Sequence, residues 1–262
     1  MICALGDLLL DVVVRLDGPV ADDSDAYGRT HVGAGGQAAN VAAWVTALGG
    51  HARFVGRRAR DPAGRMVAEE LERLEVQVVG PEAEAGTGTV VSIATPDGRR
   101  AMLSDRGVSP GFRPEELDPA WLNGCEWLFV SGYALVSSPL RETVLAARRL
   151  VPRVSLDLSS VSAIRQMGTE PFRAVIAELA PDLVFANEEE AALVSGLKAE
   201  MIVKLGTRGC RVAGREYPPV PAKLVDATGA GDAFDAGYLL GGVERALAAA
   251  ARCIARMGAM PS

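Results

Sequence analysis

The sequence predicts an α/β fold in which a mostly parallel, doubly wound sheet carries helices on both faces, giving three layers, with a small sheet projecting from it. The first observation is that apolar runs alternate with helical patterns from position 127 onward, which is typical of a parallel sheet. The predicted strands are 127–131, 154–158, 183–186 and 201–205, and the helices between them are 140–151, 170–180 and 188–196. The second observation is that the runs at 87–94 and 100–103 flank Pro96-Asp-Gly98, a pattern typical of a hairpin turn. Together with residues 12–32, these runs predict the small sheet.

Length and composition indicate a globular protein with one domain, residues 1–262. Hydrophobic residues make up 49% of the chain and aromatic residues 5%, which predicts a core built mainly of small side chains. The 27 Lys and Arg against 33 Asp and Glu give a net charge of −6, and no long basic run is present, so nucleic acid is not an expected partner. The 4 cysteines form no C-x-x-C pair, which favours buried free thiols over a zinc or dithiol site.

The N-terminal segment does not look like a targeting signal. It lacks a basic region, and Asp7 and Asp11 interrupt the apolar run that a signal peptide needs. An apolar run long enough to span a membrane is missing from the rest of the sequence as well. We therefore expect a cytoplasmic protein without a membrane partner.

Residues 2–5 and 8–14 are aliphatic or β-branched, and they predict one buried strand that is interrupted at Gly6-Asp7. Burying an unpaired carboxylate is costly, so at least one of Asp7 and Asp11 is expected at a strand end that faces a polar cavity. A solvated strand edge is the alternative explanation.

Gly35-Gly36 directly precedes a helical pattern that runs from position 38 to 48 and ends at Gly49-Gly50. A tight glycine turn lets backbone amides approach a ligand, although ordinary turn chemistry also explains it. Strands at 52–55 and 76–79 with a helix at 62–74 then add a further β-α-β step.

Polar residues gather where the predicted parallel strands end. They are Ser131-Gly-Tyr133, Asp157, Asn187 and Gly206. Since doubly wound folds bind ligands at the carboxyl ends of their strands, these residues indicate the edge of the sheet that carries the site.

The stretch 226–234, Asp-Ala-Thr-Gly-Ala-Gly-Asp-Ala-Phe, places two glycines immediately before an acid that opens a helical pattern. The amides of Gly229, Ala230 and Gly231 would lie in the first helical turn, where N–H groups are unpaired and can bind a phosphate. Asp232 would stand beside that phosphate as a base. The alternative is a glycine-rich turn capped by Asp232.

Four segments resemble the motifs of the ribokinase-like (PfkB-type) carbohydrate kinases, in the order in which that family carries them. The stretch 226–234 resembles the C-terminal signature, and Gly35-Gly-x-x-x-Asn40 resembles the first signature. Asn187-Glu-Glu-Glu190 resembles the Asn-x-x-Glu motif, and Lys204-Leu-Gly-Thr-Arg-Gly209 resembles the Thr-Leu-Gly-x-x-Gly turn, with lysine in the threonine place. The resemblance spans positions 6–258. It implies the ribokinase-like fold, with a lid formed approximately by 12–32 and 87–106.

The resemblance also implies an activity, which is transfer of the γ-phosphoryl group of ATP to a hydroxyl of a small sugar or sugar acid. Asp232 would accept or orient the hydroxyl proton, and the amides of 229–231 would hold the charge on the transferred group. The positions that match the family's acceptor site are Asp11, Gly35, Gly36 and Asn40. Arg106, which returns from the lid, is a further candidate, and a solvated surface arginine is the alternative there.

ATP and Mg²⁺ are the cofactors that the resemblance implies, with a monovalent cation such as K⁺ near Asp226. Nucleotide-site residues would be Asn187, Lys204, Gly206, Gly209 and Thr228, and metal-site residues Asn187, Glu190 and Asp226. The lysine in the threonine place removes a hydroxyl contact, and the residues around the adenine are not predicted. A helix cap followed by first-turn acids is the alternative explanation of 187–190. A homodimer formed through the lid is a further expectation.

Three other functions compete with a sugar kinase. A nucleoside kinase could use the same scaffold but needs an aromatic or apolar wall, and few of the 4 Tyr, 6 Phe and 3 Trp fall in the lid. A sugar-binding regulator without catalysis would not need Asp232 and its glycines. A dinucleotide-dependent dehydrogenase is disfavoured, since no G-x-G-x-x-G follows the first strand.

Overall fold

The computed structural model describes residues 1–19, 23, 25–84, 86–97 and 100–261. Strands and helices are numbered here in chain order. Within these residues, one large sheet has nine strands in the order β15-β14-β13-β12-β11-β10-β1-β4-β6. These strands are β1 Ile2–Leu5, β4 Ala52–Val55, β6 Gln77–Val79, β10 Trp127–Ser131, β11 Val154–Asp157, β12 Leu183–Asn187, β13 Glu200–Lys204, β14 Cys210–Val212 and β15 Arg215–Tyr217. The seven strands from β13 to β6 pair in parallel, and β14 and β15 are antiparallel.

The small sheet has four strands in the order β3-β2-β8-β9, and we call it the lid sheet. Its strands are β2 Leu9–Leu16, β3 Gly28–Gly35, β8 Thr87–Ala94 and β9 Arg100–Gly107. Strands β8 and β9 are antiparallel, as the pattern at 96–98 predicts, although Gly98 itself lies outside the described residues, as do 20–22 and 24 of the predicted lid segment. Strands β5 Arg58–Ala59 and β7 Glu82–Ala83 pair in parallel and form a separate two-stranded sheet.

Helices cover both faces of the large sheet. They are α1 Gln37–Ala47, α2 Pro62–Arg73, α3 Gly132–Leu135, α4 Leu140–Arg148, α5 Val161–Met167, α6 Thr169–Leu179, α7 Glu188–Leu193 and α8 Ala230–Ile254, the last interrupted at Gly241 and Gly242. One core cluster joins the sheet to α3, α4 and α6, and a second joins it to α1, α2 and α8. Alternate side chains of β1 point into different clusters, since Cys3 and Leu5 belong to the first and Ile2 and Ala4 to the second. The predicted three-layer, doubly wound α/β fold is confirmed.

The prediction of one interrupted strand over 2–5 and 8–14 is wrong. The chain leaves the large sheet after Leu5, where the Gly6 amide donates to the Val55 carbonyl at 3.2 Å, and it enters the lid sheet at Leu9. Both runs are aliphatic because β1 is fully buried and β2 is partly buried, so hydrophobicity alone does not separate them. As a result, Asp7 follows a strand of the large sheet, whereas Asp11 lies within a lid strand.

None of the helices in the described part of the chain is long and apolar enough to cross a membrane.

Candidate active site

The first turn of α8 provides unpaired backbone donors. Gly229 precedes the helix with a φ of 75°, and a Cβ there would lie 2.6 Å from the Cα of Ala259, so this position requires glycine. Among the described residues, the amides of Gly229 and Gly231 have no hydrogen-bond partner, whereas the Ala230 amide donates to the Ala227 carbonyl at 3.3 Å. The turn therefore offers two free amides and one weakly held amide to an anion.

Asp232 lies in the same turn, next to the polar side chain of Asn40. The Asn40 amide nitrogen donates to the Asp232 carboxylate at 2.7 Å, which joins α1 to α8. Burial raises the pKa of Asp232 to about 7, although the hydrogen bond from Asn40 opposes the rise. The negative charge of Asp157 adds to it. A carboxylate with a pKa near neutrality is well suited to accept a proton from a reacting group.

Asn40 also has a free acceptor. Its Oδ1 atom is buried, and within the described residues it has no hydrogen-bond partner. An unpaired buried polar atom costs about 1–3 kcal/mol. The Oδ1 atom can therefore accept one further hydrogen bond, which would remove that cost.

Gly35 and Gly36 bring the lid sheet close to this wall. A Cβ on Gly35 would collide with the carboxyl group of Asp11, and a Cβ on Gly36, whose φ is 96°, would collide with the carbonyl oxygen of Asp7. Burial, followed by the charge of Glu70, raises the pKa of Asp11 to about 7. Asp11, Gly35, Gly36 and Asn40 therefore form one continuous surface that ends at Asp232.

Arg106 lies beside this surface in a paired state. Its guanidinium donates twice to the Asp7 carboxylate, at 2.8 and 2.9 Å, and once to the Ser137 hydroxyl at 2.8 Å. The side chains of Arg106 and Asp7 are 17% and 7% exposed. The alternative of a solvated surface arginine is therefore wrong, and Asp7 is a buried partner that the sequence motifs did not include.

Asn187 and Glu190 form a capping box at the start of α7. The Asn187 side chain accepts from the Glu190 amide, and the Glu190 carboxylate accepts from the Asn187 amide, both at 2.8 Å. The alternative of a helix cap is thus the geometry observed. Burial, and then the charge of Asp157, raises the pKa of Glu190.

A dedicated metal cage is missing from the described residues, in which no three His, Cys, Asp or Glu side chains are grouped to hold a metal ion. Mg²⁺ commonly binds through one or two carboxylates and keeps several waters, so the Glu190 carboxylate at the strand ends fits it. Asp226 is arranged differently. Its carboxylate accepts from the Thr228 amide at 3.0 Å, the Thr228 hydroxyl at 2.7 Å and the Gly258 amide at 3.1 Å, which fixes the turn before α8.

The turn after β13 contains Gly206 and Gly209, both at positive φ, 59° and 90°. A Cβ on Gly209 would collide with the Tyr217 carbonyl, so the neighbouring hairpin is sufficient to explain why this position is glycine. No atom lies within 4 Å of the position that a Cβ on Gly206 would take, which leaves its backbone accessible.

Lys204, at the end of β13, reaches two buried acids. Its ammonium contacts the carboxylate of Asp157 and lies 3.2 Å from that of Asp235, on the second turn of α8. Burial opposes charge on Lys204, but the two carboxyl groups outweigh it and hold its pKa above the ordinary value. Burial also keeps the pKa of Asp235 well above its ordinary value. Burial opposes the charge of Asp157 too, but the charge of Lys204 together with hydrogen bonds from Asp235, Lys204 and the Ser159 amide outweighs it and lowers the pKa of Asp157.

The sequence motifs do not single out Asp235, and the sequence indicates Asp7 and Asp157 only as acids near predicted strand ends. The spacing of three between Asp232 and Asp235 was a usable signal, since residues three apart share a helix face. Asp7 gave a weaker signal, because its partner Arg106 is 99 positions away.

Comparison with known proteins shows the family of the chain and other proteins that share its fold. The pfkB family carbohydrate kinase model matches residues 1–260. A fructokinase from Klebsiella pneumoniae is 32% identical over 268 residues, which cover 92% of this chain and 83% of the relative. Two solved structures have the same fold. A putative ribokinase II from E. coli in complex with ATP and Mg²⁺ has a TM-score of 0.83 at 21% identity, and covers 99% of this chain and 94% of the other. An adenosine kinase from Sinorhizobium meliloti has a TM-score of 0.84 at 21% identity, with 99% and 95% covered.

The family match extends over nearly the whole chain and includes the segments that form the surface from Asp11 to Asp232. The relative from Klebsiella pneumoniae is long enough and similar enough to support the same assignment. The chain belongs to the pfkB family of carbohydrate kinases.

Proposed function

We propose that this chain is an ATP-dependent sugar kinase, folded as a single domain, which transfers the γ-phosphoryl group of ATP to a hydroxyl of a small sugar or sugar acid. The observation that carries the proposal is the Asp232 carboxylate, with a pKa of about 7, beside the free amides of Gly229 and Gly231. A base and an anion-binding turn are thereby placed at one point, as phosphoryl transfer to a hydroxyl requires.

In the proposed reaction, the acceptor oxygen forms a bond to the γ-phosphorus as the bond from that phosphorus to the bridging oxygen of ADP breaks. The hydroxyl proton passes to Asp232, and ADP is the leaving group. The amides of Gly229, Ala230 and Gly231 donate to the transferred group, whose charge is spread over its outer oxygens. Because the proton leaves late in a loose transition state, orienting the hydroxyl is the larger part of the work of Asp232.

The acceptor would bind between the lid sheet and α1. Asp11 can accept two hydroxyl hydrogen bonds, and the free Oδ1 of Asn40 can accept a third. Gly35 and Gly36 keep side chains out of this space. Arg106 would act at its border, where its remaining donors can reach an acceptor oxygen.

ATP would lie along the ends of β12 and β13 and the start of α8, against Asn187, Lys204, Gly206, Gly209 and Thr228. Mg²⁺ supplies charge neutralisation for the phosphates when it is bound, and Glu190 and Asn187 are the residues that would hold it. For a monovalent cation near Asp226, the test is the dependence of turnover on K⁺ compared with Na⁺. The structure offers Asp226 a clear alternative role, since its carboxylate already accepts three hydrogen bonds.

A nucleoside kinase is the second candidate, and Tyr133 is the observation that favours it. This side chain is half-buried, and burial raises its pKa, with Asp157 and Asp232 among the charges that act on it. The aromatic ring of Tyr133 could stack on the nucleobase of a nucleoside acceptor. The adenosine kinase from Sinorhizobium meliloti has the same fold, although an identity of 21% carries no substrate assignment.

We also propose that the lid sheet forms a homodimer. Val32, Val12, Val91 and Leu103 lie opposite one another across the four lid strands. Val32 is 49% exposed and Leu103 is 61% exposed, so the two ends of this apolar row are open to a second copy. Light scattering should give a dimer for the wild type, and Leu103→Asp should shift it to the monomer.

The decisive experiment is a coupled assay of ADP formation with ATP, Mg²⁺ and a panel of sugars, sugar acids and nucleosides. We expect turnover with a sugar or sugar acid and loss of it in Asp232→Asn. Preference for nucleosides would favour the second candidate. Binding of a sugar without any ADP formation would identify a regulator and refute the kinase.

A further inference from the structure

Lys204, Asp157 and Asp235 form a buried charged group, which we call the Lys204 cluster. The ammonium of Lys204 contacts Asp157 and lies 3.2 and 3.4 Å from the two oxygens of Asp235. The side chains of Asp157 and Asp235 are 2% and 0% exposed, whereas that of Lys204 is 19% exposed. The lysine is therefore the member of the cluster that a ligand can reach.

Gly231 locates the cluster relative to the phosphate-binding turn. A Cβ on Gly231 would lie 3.2 Å from the Nζ atom of Lys204 and 3.9 Å from its Cε atom, and these are the atoms that it would meet within 4 Å. The Lys204 ammonium, which is the positive end of the cluster, thus lies beside Gly231 in the first turn of α8. Gly231 is one of the two residues whose amides are free. The two carboxyl groups lie behind it.

The charge balance of the cluster suits an anion in front of it. Asp235 is completely buried, and burial keeps its pKa well above the ordinary value, whereas the pKa of Asp157, which contacts the ammonium, is lowered. Two ionised acids would give the cluster a net negative charge, which would repel a phosphate. The raised pKa of Asp235 favours the form with one ionised acid, in which the cluster presents a cation toward Gly231 without a net negative charge.

Stability alone does not account for such a cluster. Removing charges from water costs several kcal/mol for each ion, and buried ion pairs can often be replaced by apolar side chains without loss of stability. A hydroxyl in the place of Lys204, as the family motif has it, would not need two acids to support it. The lysine therefore calls for a role in which its charge is used.

We propose that Lys204 contacts the β- or γ-phosphate of ATP, and that Asp157 and Asp235 are positioning residues that hold its ammonium against Gly231. The proposal rests on the proposed function, since it takes ATP as the donor. It assigns to this chain a fixed cation beside the free amides, in addition to Mg²⁺. A fixed cation there stabilises negative charge without any reorganisation when the phosphoryl group moves.

The test is calorimetric binding of ATP, ADP and AMP to the wild type, Lys204→Met, Lys204→Arg and Lys198→Met. Loss of a charge-assisted contact should weaken ATP binding about ten- to hundredfold in Lys204→Met and leave AMP binding within about twofold. ADP binding should fall with that of ATP if Lys204 contacts the β-phosphate, and should be unchanged if it contacts the γ-phosphate. Lys204→Arg keeps the charge and should recover most of the ATP affinity. Lys198→Met is the matched control, because Lys198 is exposed and precedes β13 at the opposite end of that strand.

Two further variants separate this role from a structural one. The double variant Asp157→Asn with Lys204→Met removes both charges of the cluster, so it should fold and still show the loss of ATP affinity. Asp235→Asn resembles the neutral acid and should bind ATP within about threefold of the wild type. The inference is overturned if Lys204→Met and the double variant bind ATP like the wild type, or if AMP binding falls as much as ATP binding. It stands apart from the proposed function, because wild-type protein that binds ATP but phosphorylates no acceptor would refute only the latter.

Discussion

Replacing Asp232 by asparagine keeps the shape of the side chain and removes its charge at the point where a base is needed. We expect turnover to fall about hundredfold or more, the usual effect of losing a positioned acid or base. The affinity for ATP should change little, because the amides of Gly229 and Gly231 remain free to bind phosphate. The substitution should therefore separate chemistry from nucleotide binding.

The same substitution should stabilise the protein at high pH. The pKa of Asp232 rises from 3.8 to about 7 on folding, because burial disfavours the charged form. For an acid with a raised pKa, the folded state holds its proton more tightly, so stability is lost as the pH rises from about 4 through about 7. Ionising Asp232 above that range costs up to about 4 kcal/mol, an upper limit because the side chain keeps some contact with solvent. Asparagine avoids this cost, and its side-chain oxygen can still accept the hydrogen bond from Asn40.

Chemical denaturation and the coupled assay together check both parts. At about pH 8 the variant should be more stable than the wild type by about 2–4 kcal/mol, and near pH 4 the difference should be small. Asp17→Asn is the control, because Asp17 is exposed at the end of β2. Unchanged turnover would refute the role of Asp232 as the base. Lower stability of the variant at about pH 8 would refute the electrostatic reasoning.

The remaining predictions concern the acceptor surface and the phosphate turn. Asp11→Ala should raise the acceptor KM by about ten- to hundredfold and leave the ATP KM within about twofold, because charge-assisted hydroxyl bonds are lost. Asn40→Ala should share this effect and combine non-additively with Asp11→Ala, since both side chains face one ligand. Raising the pH from about 6 to about 8 should lower the acceptor KM as Asp11, whose pKa is raised to about 7, becomes ionised. Gly231→Val should weaken binding of a non-hydrolysable ATP analogue by more than about tenfold, because its side chain would crowd the amide turn and the Lys204 ammonium.

Each of these has a control and an outcome that contradicts it. Asp17→Ala should leave both Michaelis constants unchanged, and equal damage to both substrates in Asp11→Ala would place Asp11 at a structural position. The pH effect on the acceptor KM should disappear in Asp11→Asn, so its persistence there would assign it to another group. Gly18→Val is the control for Gly231→Val, since a Cβ on Gly18 meets no atom within 4 Å. An ATP analogue that binds Gly231→Val normally would show that the turn does not carry the phosphate.

Local patterns predicted the parts of the site that depend on neighbouring residues. The turn before Asp232 has the geometry expected from its glycines, because a free amide at a helix start follows from the helix itself. The helix after Gly36 also begins where the sequence places it. In these cases the spacing of residues in the chain determines their spacing in the fold.

Features that depend on distant pairing were not predictable in the same way. The division of residues 2–14 between two sheets is decided by which strands are available to pair, and β2 finds β3 and β8 rather than a strand of the large sheet. The partners of Lys204 come from two other elements, 47 and 31 positions away. A sequence pattern does not contain these distances, because it is the packing of α8 on the strand ends that sets them.

Because Asp11 lies on a lid strand, the position of the lid sheet bears on whether water can hydrolyse ATP at the proposed site. Strand β2 pairs with β3 on one side and β8 on the other, so Asp11 is held rigidly in the lid sheet. If the lid sheet opened, it would carry this carboxylate away from Asn40 and Asp232, and an acceptor that bound all three side chains would hold the lid closed over them. On the proposed function, the acceptor would thereby complete the site that phosphorylates it. Without the acceptor the surface around Asp232 would be incomplete, and a water molecule there would gain none of the contacts that hold an acceptor hydroxyl in line for attack.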